Sequence, residues 1–262
     1  MAPACVALLT FSVDRPRLLA EAIRSVLAQR DAPPIRQIVF SERTAELRAD
    51  AALDGLKDRV QWVPLETRAY EGHSSPRMAA LRQLALGYVQ ETYVGFLDDD
   101  NTLAPEHIAN LVRMIENQNL SAAHSWRELS HPDGTPFDGS FYPWHADPAV
   151  ARDLHAWCVE NGVMIPGSAV VRDGVREGDD PRNVATVDMN EWLFETEALR
   201  AIGFETAFTD LEVANQVGED DKLLRRVRRA GLRFACSEMP TVRYRLGGVS
   251  NKRRTDAPEG AR

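Results

Sequence analysis

The chain of 262 residues is poor in features that would each mark a class of protein. Its three cysteines, Cys5, Cys158 and Cys236, are odd in number and far apart, with no pair at metal-ligand spacing, which excludes a disulfide framework and a zinc ribbon. They read as reduced thiols of a cytoplasmic protein. No stretch approaches the ~20 apolar residues of a membrane-spanning helix, since even the run 155–171 is broken by Glu160, Asn161 and Pro166. Before Asp14, Arg15 and Arg17 only Ala4 to Leu9 is apolar, too short for a signal-peptide core. A cytoplasmic location is therefore expected, and the composition is compatible with peripheral contact at a membrane. Basic charge is scarce as well: 31 Lys and Arg stand against 39 Asp and Glu, a net charge of -8. A nucleic-acid binder needs a basic face to neutralise phosphate, so no nucleic-acid partner is expected and any anionic ligand must be held locally.

What is present is an α/β pattern. Short apolar runs at 5–10, 35–40, 59–64 and 92–97 alternate with amphipathic segments, the arrangement of a parallel sheet covered by helices on both faces. Pro16 opens the first helix, with Leu18, Leu19, Ala22, Ile23, Val26 and Leu27 on one face, and the stretch 31–34 stops it. Polar residues 44–56 predict a second helix, Pro76 a third and Pro105 a fourth. From Leu120 the periodicity loosens, and 130–147 and 172–182 read as long loops. Order returns at 184–194, followed by helices near 197–202 and over 219–230, ended by Gly231, and by separate strands at 232–236 and 241–245. The organisation expected is one domain over 1–250, with halves at 1–120 and 121–250, and a mobile tail at 251–262.

Two acidic clusters carry the chemistry. The fourth strand runs into Asp98-Asp99-Asp100-Asn101, at the carboxyl end of a sheet where ligands bind in open α/β folds. Three adjacent carboxylates repel one another, and a divalent cation sharing their charge with a diphosphate relieves that repulsion. The alternative is an acidic turn at the start of the helix at Pro105, which Asn101 or Thr102 would cap. A calcium loop is excluded, because Leu103 stands where its glycine belongs. The second cluster, Gly218-Glu219-Asp220-Asp221, opens a helix whose far end carries Arg225, Arg226, Arg228 and Arg229. A helix N-terminus keeps carboxylates ionised, suited to accepting a proton, and the same acids-first pattern also simply complements the helix dipole.

Taken in order, the run from Ala7 to Leu19 continuing through Ser25 to Gln29, then Arg77 before a helix, then Phe96-Leu97-Asp98-Asp99-Asp100, then Gly218-Glu219-Asp220 leading to Arg229-Ala230-Gly231, resembles the family 2 glycosyltransferases of the GT-A fold. The resemblance implies a Rossmann-like mixed sheet flanked by helices, with a donor half over 1–120 and an acceptor half over 121–250. It implies a UDP- or GDP-linked sugar donor, an acceptor hydroxyl, Mg²⁺ or Mn²⁺ at Asp98 and Asp100, and Asp220 as the base of an inverting transfer. Thr10, Arg15, Glu42, Arg77, Asp98, Asp99, Tyr244 and Arg245 are the residues it implies for nucleotide and diphosphate.

The chain departs from the family pattern in places. Ser12-Val13-Asp14 replaces an Asn before Arg15, Ser41-Glu42 replaces an Asp pair after the second strand, and Tyr244-Arg245-Leu246-Gly247-Gly248 lacks a following His. A third metal ligand is thereby left unidentified. His73 lies before Arg77, while His131, His145 and His155 flank the irregular segment; solvated loop positions suit each. Of the tryptophans, Trp144 is the one expected as an exposed sugar platform.

Rival readings are a haloacid-dehalogenase-type phosphatase with Asp98 as nucleophile, a sugar nucleotidyltransferase, and a degenerate sugar-nucleotide-binding module. The first lacks its phosphate-binding lysine, since the lysines are Lys57, Lys222 and Lys252. The second lacks a glycine-rich loop at 10–15. The third would not need both acidic motifs.

Overall fold

Strands β1 (Val6–Phe11), β2 (Ile35–Ser41), β3 (Gln61–Pro64) and β4 (Tyr93–Phe96) pair in parallel in the spatial order β3-β2-β1-β4. The structure is a computed structural model and describes residues 4–66, 74–145, 147–175, 187–215 and 217–248. His73, the segment 176–182 of the second expected loop and the expected tail at 251–262 lie outside these residues.

Each central strand is buried on both faces, as the near-continuous apolar runs require. In β1, Ala7 and Leu9 join Ile38, Phe40, Val94, Phe96 and Phe194 in one core, while Val6 and Leu8 join Tyr93, Leu97, Ile108 and Leu111 in the other. The period-2 alternation of strand side chains divides them between the two faces. Helix α1 (Pro16–Leu27) starts on proline, whose fixed φ suits a first turn, and buries Leu19, Ala20, Ala22, Ile23 and Val26. Helix α2 (Thr44–Ala49) is shorter than expected, because Asp50 accepts a hydrogen bond from Ala52 N–H at 2.8 Å and starts a separate 3-10 turn, Ala51–Leu53. Helices α3 (Ser74–Ala85) and α4 (His107–Gln118) follow as expected in kind.

The chain beyond β4 extends the same sheet in mixed orientation. Strand β5 (Thr102–Leu103), β6 (Ala122–Ser130), β7 (Val170–Val171), β8 (Trp192–Glu195) and β9 (Phe234–Arg245) give the full order β3-β2-β1-β4-β8-β6-β9-β5, with β7 on β6. Strand β8 is antiparallel to both β4 and β6, whereas β6 and β9 are parallel. Gly95 suits the β4–β8 contact, since a Cβ there would lie 3.0 Å from Leu8 Cδ2 and 3.1 Å from the Trp192 carbonyl oxygen.

Three sequence expectations are corrected here. The stretch after Leu120 is the nine-residue strand β6, hidden in the sequence because His124, Ser125 and Arg127 are polar yet buried. The two expected C-terminal strands are one, β9, bent by a register shift opposite His124–Arg127, near Glu238 in a left-handed conformation (φ 55°). Helix α5 (Pro148–Glu160) was not anticipated, although Asp147 caps it and Pro148 opens it. Helices α6 (Thr196–Ile202), α7 (Asp210–Ala214) and α8 (Glu219–Arg229) complete the chain. Among the described residues no helix is long and apolar enough to cross a membrane.

Candidate active site

Strand β1 leads to β2 on one side while β4 lies on its other side, the switch point beyond whose carboxyl ends open α/β sheets bind ligands. Arg15, four residues past β1, reaches across it to Asp99 and to Asp100, the latter at 2.5 Å. Asp99 is fully buried and also accepts from Ser12 Oγ at 2.6 Å. Burial pushes its carboxyl up to about 6, against the pull of Arg15 and Ser12. Thr10 is buried too, its hydroxyl accepting from Gln37 Nε2 at 3.0 Å. The three acids do not cap α4, whose start has no side-chain cap; Asn101 instead accepts from Arg245 N–H at 3.0 Å and ties this turn to β9.

Asp98 faces the other way. The β4–β8 register pairs Gly95 with Leu193, and three residues further it carries Asp98 opposite Asn190. Asn190 Oδ1 accepts from Asp98 N–H at 2.6 Å, and its Nδ2 donates to Asp98 Oδ2 at 3.0 Å. Burial, with Asp188 and Asp100 as neighbouring negative charges, pushes the Asp98 carboxyl up to about 7 despite Arg82 nearby. Asp188 is held by Arg127 at 2.8 Å, and Arg127 also meets Asp173 at 3.0 Å. That buried guanidinium lies 4.5 Å from the Trp144 ring centroid and 5.2 Å from that of Tyr244.

Arg82 joins the two acidic clusters. Its side chain, 4% exposed, pairs with Glu219 and stands 3.6 Å from Asp98 Oδ1. Of the acids that open α8, Glu219 is thus committed to Arg82, and Asp221 accepts from Gly218 N–H at 2.8 Å, the reciprocal half of a capping box. Asp220 has no ion pair among the described residues; its Oδ1 accepts only from Asp221 N–H, at 3.0 Å. Burial first, then the charges of Asp221, Glu219 and Asp188, push its carboxyl well above the usual range. A Cβ at Gly218 would meet Asp220 Oδ1, so the Asp220 carboxylate would have to shift to admit one.

The other expected residues fall around this centre. Glu42 pairs with Arg77 across the ends of β2 and α3. Arg245 pairs with Glu21 at 2.8 Å, and Tyr244 is buried beneath Trp144, whose Nε1 donates to its hydroxyl at 3.4 Å. Trp144 is half-buried, with its edge against Tyr142 at 5.2 Å, so it is not the open platform expected. His145 accepts from Asp147 N–H at 3.1 Å and His131 packs on Phe137 at 5.7 Å, both within the irregular segment; His155 instead is half-buried on α5, where its Nε2 meets the Gly139 carbonyl at 2.7 Å, and is not the solvated loop residue expected.

A family model described as glycosyl transferase family 2 matches residues 8–177. The chain belongs to this family. No curated protein matches it. Among solved structures it is similar to S. aureus TarS 1-349 in complex with UDP, at 13% identity over 92% of this chain and 60% of that one, with a TM-score of 0.54. The same TarS fragment in complex with UDP-GlcNAc gives 13% identity over 94% and 60%, with a TM-score of 0.57. A mannosyltransferase from Pyrobaculum calidifontis in complex with GDP-Man and Mn²⁺ gives 14% over 96% and 61%, with a TM-score of 0.58. The chain therefore spans about 60% of the length of these relatives. Their likeness establishes the fold, the GT-A arrangement of a mixed sheet flanked by helices that the sequence motifs implied.

Within this family 2 member, sequence reading missed Arg82, Arg127, Asp188 and Asn190. Arg82 lies 3 positions before Ala85, the end of α3, and looks like a surface residue of a polar helix until α8 packs on it. Asp188 and Asn190 carried a readable signal, since Asp188 with Glu191 three positions on is a capping box.

Proposed function

We propose that the chain transfers a sugar from a UDP- or GDP-linked donor to an acceptor hydroxyl, with inversion at the anomeric carbon. The observation that carries this reading is the meeting of the two acidic motifs on one buried cation: Asp98 and Glu219 both face Arg82. One motif belongs to the donor side, the other carries Asp220, which has no ion pair among the described residues. Relatives that bind UDP, UDP-GlcNAc, and GDP-Man with Mn²⁺ support the donor class. A single unit over 1–250 is the organisation proposed, with a cytoplasmic location compatible with peripheral membrane contact.

The residues fit a divalent cation. Among the described residues no three metal-binding side chains form a cluster, but Mg²⁺ or Mn²⁺ is commonly held by one or two carboxylates with substrate phosphate completing the shell. Asp98 and Asp100 supply hard oxygen donors; the upward shift at Asp98 comes first from burial, with the negative charges of Asp188 and Asp100 adding to it. Bound there, the ion supplies charge neutralisation for the departing diphosphate. Engagement of Asp100 requires Arg15 to release it, and Arg15 then lies beside the phosphates. Glu42, Arg77 and Thr10, at the ends of β1, β2 and α3, border the nucleoside position; Tyr244 and Arg245 border the diphosphate side.

Asp220 acts on the acceptor. Its carboxylate takes the hydroxyl proton as the acceptor oxygen bonds to the anomeric carbon. The bond from that carbon to the diphosphate oxygen breaks on the opposite face, and the electron pair leaves with the diphosphate. Contrary to the ionised state expected at a helix N-terminus, burial and the neighbouring acids raise the affinity of Asp220 for protons.

The test is thermal stabilisation of wild type and Asp100→Ala by UDP or GDP with and without Mn²⁺. Stabilisation that needs both Mn²⁺ and Asp100 is expected. Equal stabilisation without the ion and in the variant removes the metal from the proposal.

A further inference from the structure

Asn190 is 1% exposed, and every hydrogen-bonding group of its amide is engaged. Oδ1 accepts from Asp98 N–H at 2.6 Å; Nδ2 donates to Asp98 Oδ2 at 3.0 Å and to Asp188 Oδ1 at 2.6 Å. An amide offers one acceptor and two donors, which is what one backbone N–H and two carboxylates demand. Turning the amide over would set NH₂ against N–H and oxygen against two carboxylates, so its orientation is dictated.

The support behind Asn190 is equally committed. Asp188 Oδ1 also accepts from Asn190 N–H at 2.9 Å, Asp188 N–H donates to Glu191 Oε2 at 2.8 Å, and Arg127 holds the other Asp188 oxygen at 2.8 Å. Asn190 is therefore fixed from the β6 side and grips Asp98 at both its backbone and its side chain. Oδ1 of Asp98 is left with no hydrogen bond among the described residues, facing Arg82 at 3.6 Å.

We propose that Asn190 is the positioning residue for Asp98, holding one carboxylate oxygen so that the other is presented to the divalent cation of the donor complex. This rests on the donor-site reading of Asp98. Partners one shell out from a metal ligand typically matter by about 10–100-fold in metal affinity.

The test is calorimetric titration of Mn²⁺ into the full chain saturated with UDP or GDP, whichever the wild type binds. Asn190→Ala and Asn190→Ser should each weaken Mn²⁺ by about 10–100-fold, and neither should weaken it further in an Asp98→Ala background. A merely structural residue lowers the melting temperature in both backgrounds and leaves the affinity alone. Wild-type affinity in a folded Asn190→Ala, or the same fold-loss with and without Asp98, overturns the proposal. Should neither variant fold, the wild-type Asn190 side-chain amide is followed by NMR as Mg²⁺ and the nucleotide are added; a shift is expected, and an unmoved resonance overturns the role. A wild type that binds no Mn²⁺ with either nucleotide defeats the donor-site reading itself, a result distinct from indifferent variants.

Discussion

Arg82 pairs with Glu219, so a residue of α3 and the first residue of α8 hold the two acidic motifs in one place. Both side chains are largely buried, at 4% and 14% exposed. Removing one partner of a buried pair leaves a charge without compensation, which costs about 3–5 kcal/mol. Arg82→Met should lose stability on that scale in urea denaturation and bind nucleotide more weakly. Arg82→Met with Glu219→Leu should recover much of the stability but not turnover. Additive losses would show that the pair is not coupled.

Gly218 gives a sharper probe of Asp220. A Cβ at 218 meets the Asp220 carboxylate itself, so Gly218→Ala should displace that group while the cap from Asp221 to the 218 N–H survives. The expected result is turnover reduced at least about tenfold, with nucleotide affinity unchanged and stability altered by less than about 1 kcal/mol. Unchanged turnover would mean that the position of Asp220 does not matter.

Charge at the Asp98 cluster predicts a dependence of stability on pH. Burial raises Asp98 to about 7 and Asp99 to about 6, whereas in the unfolded chain both lie near ~3.9. Between those values the folded state binds more protons, so this contribution to stability is complete below about pH 4 and is lost as pH rises through about 7. In EDTA, Asp98→Asn should therefore gain melting temperature over wild type at pH 8 relative to pH 5. A difference independent of pH would contradict the shift.

The parallel half of the sheet was legible because β1 and β4 are apolar on both faces and helices such as α1 and α4 carry clear periodicity. The acidic motifs were legible because adjacent carboxylates after a buried strand are chemically conspicuous. Strand β6 was not, since the pattern rule expects apolar residues where this chain buries Arg127 against Asp173 and Asp188. The roles of Arg82 and Asn190 were invisible for a related reason, although the capping box around Asn190 was readable. Each owes its role to partners distant in sequence, and only the β4–β8 register and the packing of α8 on α3 bring those partners together.

The proposed transfer stands on Asp220 as base. The most direct measurement pairs nucleotide affinity with the rate of sugar transfer in Asp220→Asn. The amide keeps the shape but cannot take a proton, so turnover should fall by about 10²–10⁴ while nucleoside-diphosphate affinity with Mn²⁺ stays at the wild-type value. Full transfer activity in Asp220→Asn, with affinity intact, would contradict the account.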